Sequence, residues 1–198
     1  MLHLRELTRL ANERFDHYLA QLPGPTPPHT VQFSRRITES WALIYYQRHL
    51  VRLSPYLFLL DPSELKRGSH WQELDATLRH EAAHAVHFAR TGETGHSRGF
   101  HDLLARLGVA ANGTCDLGPE NSAFRYVYAC RSCDQRIPRR LPLRGNWSCG
   151  RCAPGQYSHV HKLELTERLD NLGARLKRRQ AWIEDAVREA KASVVVVS

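Results

Sequence analysis

Five residues near the middle of the chain, His80-Glu81-Ala82-Ala83-His84, have the types and spacing of a metal-hydrolase core. On a helix, positions four apart share a face, so both imidazoles reach one ion while Glu81 lies beside its open coordination position. Zinc held in this way lowers the pKa of a coordinated water to about 7, and a carboxylate one residue from a ligand is placed to take that proton. Chance placement is the competing explanation, and the surroundings decide between the two.

Those surroundings favour a helix. From Ser69 to Arg90 there is no Pro or Gly, Ser69 precedes Gln72 at capping-box spacing, and Leu74, Leu78, Ala82 and Val86 form an apolar stripe. The helix is expected to stop near Thr91-Gly92. Catalytic zinc generally takes three protein ligands, so one more is needed downstream. His87 is turned roughly 60° from His84 around the helix and reads as a surface or supporting histidine. His101 falls inside the next apolar-periodic segment (Phe100, Leu103, Leu104, Leu107), whereas His96 follows Gly95 in a short loop that can turn the chain back over the metal. Helix packing does not account for His96, which is therefore favoured over His101.

Cys130-Arg131-Ser132-Cys133 and Cys149-Gly150-Arg151-Cys152 are two C-x2-C knuckles with fifteen residues between them. Two such pairs supply four thiolates for a closed, tetrahedral structural zinc site. A pair of disulfides or a redox CxxC is the alternative, and the doubled knuckle argues against it. The fifth cysteine, Cys115, has no catalytic partner nearby.

The order HEAAH, short loop, His96-Ser97-Arg98-Gly99-Phe100 and apolar helix resembles the SprT/Spartan family of zinc metalloproteases. Its pattern is HExxH followed by H-x-x-x-F, with the third ligand at the second motif's histidine, here His96. The metzincin spacing HExxHxxGxxH does not fit. Members commonly carry a C-terminal zinc ribbon, matching the knuckles, and the resemblance spans roughly residues 31 to 155. Two positions depart from the pattern: Ser97 stands where many relatives have Gly, and Gly99 where an acidic residue is common.

The resemblance implies an α+β chain, with a minimal zincin-like protease domain of helices and a small antiparallel sheet, then a ribbon and a C-terminal helix. It also implies a catalytic zinc on His80, His84 and His96 with Glu81 as general base, and a structural zinc on Cys130, Cys133, Cys149 and Cys152, two Zn2+ in all. The substrate would be protein trapped on or crosslinked to DNA, cleaved when DNA is present. Two other readings stand beside this one. One is a nucleic-acid-binding zinc module whose protease domain is a scaffold, against which the intact Glu81 argues. The other is a regulatory peptidase that cuts one transcription factor.

Residues 1 to 123 carry 13 Lys and Arg against 13 Asp and Glu, and residues 124 to 198 carry 15 against 7, so the net +8 lies in the C-terminal third. Arg136, Arg139, Arg140, Arg144 and Arg151 are interleaved there with Tyr126, Tyr128 and Trp147. This combination suits a phosphate backbone and stacked bases, with single-stranded or frayed DNA preferred. The opening residues lack an apolar h-region and no stretch has the eighteen apolar residues of a membrane span, so a cytoplasmic, nucleoid-associated protein is expected.

The remaining elements follow from periodicity. Leu4, Leu7, Ala11, Phe15, Tyr18 and Leu22 predict a helix ending at Pro23. Val31 to Ile37 and Trp41 to Leu53 predict two or three antiparallel strands, followed by a short turn at Pro55 to Leu60; the family resemblance implies that Tyr45 to Leu53 is a strand entering a short helix at Ser54-Pro55-Tyr56-Leu57. Beyond the ribbon, Leu165, Leu169, Leu172, Leu176, Ile183 and Ala190 predict one helix of some twenty-five residues. The Val194 to Val197 run reads as an added strand or a frayed tail. The expected domains are therefore 1–121, 122–161 and 162–198.

Overall fold

The computed structural model describes residues 2–24, 26–38, 40–109 and 124–194; Cys115 and Val195 to Val197 lie outside them. The chain forms two compact units, Met1–Leu117 together with Arg178–Ser198, and Gly118–Lys177.

In the first unit, α1 (Leu2–Gln21) buries Leu7, Leu10, Ala11, Phe15 and Tyr18, the face its periodicity predicts. The sheet contains β1 (Thr30–Phe33), β2 (Ala42–Tyr45) and β3 (Leu50–Leu53) in the order β1-β3-β2. β2 runs antiparallel to β3, but β1 runs parallel to it, so the sheet is mixed rather than antiparallel as expected. Alternation of apolar residues fixes which face of a strand is buried, here through Val31, Val51 and Leu53, but not which neighbour it pairs with.

The two sheet edges differ. Asn12 of α1 lies against β1, where its side-chain amide donates to Val31 O and accepts from Val31 N–H, each at 2.8 Å. That pair occupies main-chain groups an incoming strand would need. The outer edge of β2, where Leu43 is 46% exposed, is covered only in part, by Ser40 Oγ donating to Ala42 O at 2.9 Å.

After β3, Ser54 caps a buried 3-10 turn, Pro55–Leu59, and also donates to Ile37 O at 2.9 Å. α2 (His70–Thr91) then crosses the unit. Ser69 Oγ accepts from Gln72 N–H at 3.1 Å, and Leu74, Leu78, Ala82 and Val86 are buried. The helix ends at Gly92, whose φ of 72° is the left-handed conformation glycine adopts without penalty; its N–H donates to Phe88 O at 2.8 Å. α3 (Arg98–Arg106) follows, with Phe100, Leu103 and Leu104 inward.

One predicted element is wrong. The long C-terminal helix is instead a strand, β6 (Leu163–Arg168), and two helices, α4 (Leu172–Arg178) and α5 (Gln180–Val194). Leu165 fits the three-to-four spacing of the later leucines but belongs to the strand and is half exposed. Asn171 Oδ1 accepts from Ala174 N–H at 3.1 Å, so α4 starts where its cap is.

α5 belongs to the first unit and packs on α1 and α2 through Ile183, Ala186, Val187 and Ala190. Trp71 Nε1 donates to Ser193 Oγ at 3.1 Å, and the Trp182 ring stacks on His70 at 5.3 Å. Buried Asp75 ties α1 to α2, accepting from Tyr18 Oη, Arg14 Nε and Arg79 Nη2.

The second unit is a sheet of β4 (Tyr126–Cys130), β5 (Arg136–Arg139) and β6, with β4 central and both pairings antiparallel. Through β6 this unit runs past residue 161, where the ribbon was expected to end. Its core is small: Tyr128, Cys130, Cys149 and Leu163. Among the described residues no helix is long and apolar enough to cross a membrane.

Candidate active site and metal centres

His80 and His84 lie one turn apart on α2, as their spacing requires, and the loop from Gly92 brings His96 over them. His84 Nε2 is 3.1 Å from His80 Nε2 and 3.0 Å from His96 Nε2. The ligand atoms of this trio all lie within 4.8 Å of one another, and His101 is outside the group.

Tetrahedral zinc with Zn–N of about 2.0–2.1 Å would set nitrogens roughly 3.3 Å apart, so the trio fits a single ion within a few tenths of an ångström. Burial, and then the neighbouring imidazoles, push His80 down to about 4 and His84 down to about 3. Both rings are thus held neutral, the state a metal ligand needs.

Phe100 underlies all three histidines, with ring centroids 4.3 Å from His84, 4.6 Å from His96 and 5.2 Å from His80. His84 Nδ1 is buried without a hydrogen-bond partner among the described residues, so packing against Phe100, not an outer acceptor, orients that ring. Glu81, next to His80 on α2, is buried, and loss of water alone raises its carboxyl to about 8.

Two residues near the site are not among the ligands and base that the sequence assigns. Tyr46, in the turn between β2 and β3, stacks on Phe88 of α2 at 4.3 Å, and burial followed by the Glu81 charge raises its hydroxyl. Its chain position gives no sign of this, because the contact depends on how the sheet meets the helix. His87 is the other. Of its two expected roles, surface or supporting, the second fits: it is only 3% exposed, and its ring nitrogens bond Thr91 at the end of α2 and Ser97 beyond His96.

In the second unit, Cys130 ends β4 and Cys133 follows it in the next turn, and Cys149 and Cys152 come from the second knuckle. Across the two knuckles Cys133 and Cys149 Sγ are 3.8 Å apart, and Cys130 and Cys152 Sγ 4.0 Å. A disulfide needs about 2.05 Å, whereas four sulfurs around tetrahedral zinc at 2.3 Å lie about 3.8 Å apart. The donor set fits zinc. The Ser132 amide lies 3.4 Å from Cys130 Sγ and draws that thiol below its usual value, while hydrogen bonding from Cys133 pushes Cys152 up. Thiols this close resist losing all their protons unless a cation replaces them.

The residues expected to meet nucleic acid fare unequally. Arg139, Arg140, Arg144 and Arg151 are exposed, as is Trp147 at 50%, with its Nε1–H fastened to Arg144 O at 2.8 Å. Arg136 is exposed but paired with Glu167 at 2.7 Å. Tyr126 is half-buried, with the Arg168 guanidinium 5.8 Å above its ring. Tyr128 must be withdrawn as a stacking residue. Its ring is 7% exposed in the core, and its hydroxyl accepts from Leu143 N–H at 3.0 Å. Tyr128 packs in one core with Cys130, two residues on along β4, a placement that composition does not reveal.

No curated protein and no solved structure matches the chain. The SprT-like family model matches residues 4–118, which include α1, the sheet, α2 with its HEAAH segment and the His96 loop. Over more than half its length, therefore, the chain belongs to the SprT-like family.

Proposed function

We propose that the chain is a zinc endopeptidase of zincin type that acts on protein associated with DNA. The observation carrying this reading is the convergence of three imidazole Nε2 atoms, with a buried glutamate next to His80 on α2. Zinc on His80, His84 and His96 would polarise a scissile carbonyl and acidify water beside it. Glu81 accepts the proton of the attacking water and passes it to the leaving amine. For that it must be ionised, and a divalent cation next to it favours the ionised form that burial opposes. An extended substrate would pair with the outer edge of β2, since Asn12 covers the edge of β1.

Cys130, Cys133, Cys149 and Cys152 would hold a second, structural zinc. The exposed Trp147 with Arg139, Arg140, Arg144 and Arg151 supports binding of single-stranded or frayed DNA, with protein crosslinked to that DNA as substrate.

Glu81→Gln is the direct test. Gln is nearly isosteric but cannot take the water proton, so the fold and both metals should survive while cleavage of a DNA-bound protein is lost. Residual cleavage within about tenfold of the parent would remove Glu81 as the base. Cleavage indifferent to DNA would leave a protease without the DNA function.

A further inference from the structure

His80 and His84 are fixed by helix α2, but His96 stands on an exposed loop, between two glycines and the start of α3. Something must hold it. Ser97, the next residue, is the N-cap of α3, where a serine normally spends its hydroxyl on a helix amide for about 1 kcal/mol. Here it makes no such bond. Its Oγ lies 2.5 Å from Nε2 of the buried His87 instead.

The surrounding bonds settle the direction of that contact. Thr91 Oγ1 donates its only proton to His87 O at 2.8 Å and accepts from Glu93 N–H at 3.1 Å. Toward His87 Nδ1, at 2.9 Å, it can only accept, so Nδ1 carries the ring proton. Nε2 is then bare and accepts from the Ser97 hydroxyl. Glu93 is the nearest charge, 3.9 Å from Nε2 and well exposed.

We propose that His87 is a positioning residue for the metal site: its buried ring clamps Ser97 and so sets where His96 presents its Nε2. The proposal rests on His80, His84 and His96 being metal ligands. Outer partners of metal ligands act in this way, and their loss typically weakens metal binding ten- to a hundredfold.

The test uses the full chain loaded with Zn2+, with chelator competition measuring affinity at the histidine site, and Co2+ in its place to report ligand geometry by visible absorption. Ser97→Ala should weaken binding by about ten- to a hundredfold and shift the Co2+ bands. Ser97→Thr, which keeps the hydroxyl, should restore both. His87→Leu should match Ser97→Ala, with no further loss in the double variant, because the two side chains form one unit. His96→Ala is the reference and should lose the metal. If Ser97→Ala binds like the parent while His96→Ala does not, the clamp is overturned and the ligand assignment stands. If His96→Ala keeps the parent's affinity, the ligand assignment itself fails. A Ser97→Ala melting temperature equal to the parent's, alongside weaker metal binding, separates positioning from a general loss of fold.

Discussion

Glu81 enters the fold as a neutral acid unless a cation joins it, and this makes the pH-dependence of the metal-stripped protein a sharp test. Burial raises its carboxyl from 4.5 to about 8. Between those values the folded chain keeps a proton that the unfolded chain has released, so this group's stabilising contribution is complete below 4.5 and is lost as pH rises toward 8. His80 and His84 act in the opposite sense. Their folded values of about 4 and about 3 lie below 6.5, so their contribution is complete well above 6.5 and is lost as pH falls.

The unfolded imidazoles are still half protonated at 6.5, so the two trends overlap until about pH 7.5, beyond which Glu81 dominates among these three. Between pH 6.5 and 8 Glu81 alone lowers stability by about 2 kcal/mol, against a gain of roughly 1 kcal/mol or less from the two histidines. Glu81→Gln has no proton to lose and should keep only the smaller, opposite histidine trend. Urea unfolding of the histidine unit at the two ends of the interval measures this, in a Trp147→Phe background where Trp41, Trp71 and Trp182 report. Equal slopes for the parent and Glu81→Gln would refute the argument. Restoring Zn2+ should remove the parent's slope, because the neighbouring cation keeps Glu81 ionised throughout.

Zinc analysis of the purified protein should find two ions per chain, the histidine one the more labile because its coordination shell is open. His96→Ala should lose that ion, whereas His101→Ala should keep it; the reverse pattern would exchange the ligands. Trp147→Ala should cost about 1–3 kcal/mol in affinity for single-stranded DNA, while Tyr128→Phe should leave that affinity alone and lower stability by about 1 kcal/mol. Fluorescence binding isotherms beside melting curves separate the two residues. Charge reversal at Arg139 and Arg140 should flatten the salt dependence of DNA binding, and an unchanged slope would take both off the DNA surface.

Local chemistry made much of this site legible in the sequence. Ser69, the apolar stripe and Gly92 bound α2 because caps and periodicity act over a few residues, and HEAAH on that helix puts its histidines together without further help. His96 was legible because no packing role competed for it. What stayed hidden depends on contacts distant in sequence. Tyr46 reaches α2 only after the sheet has formed, β1 chooses β3 as a parallel neighbour, and Tyr128 enters one core with Cys149 and Leu163. Leu165 misled because a strand leucine happened to fall in phase with the helix after it.

The path of the chain sets an order of assembly. α5 packs against α1 and against the helix bearing HEAAH, yet its residues are translated after the whole cysteine unit. A nascent chain that has already emerged through the second knuckle still lacks the surface that covers Trp71 and stacks on His70. The histidine unit therefore reaches its full core only near the end of synthesis, with the thiolate unit already available to fold. The same arrangement governs dissection of the protein. A truncation at residue 161 would strip α5 from the histidine unit along with part of the cysteine sheet, so any loss of proteolysis in such a fragment would report a damaged core before it reported a missing ribbon.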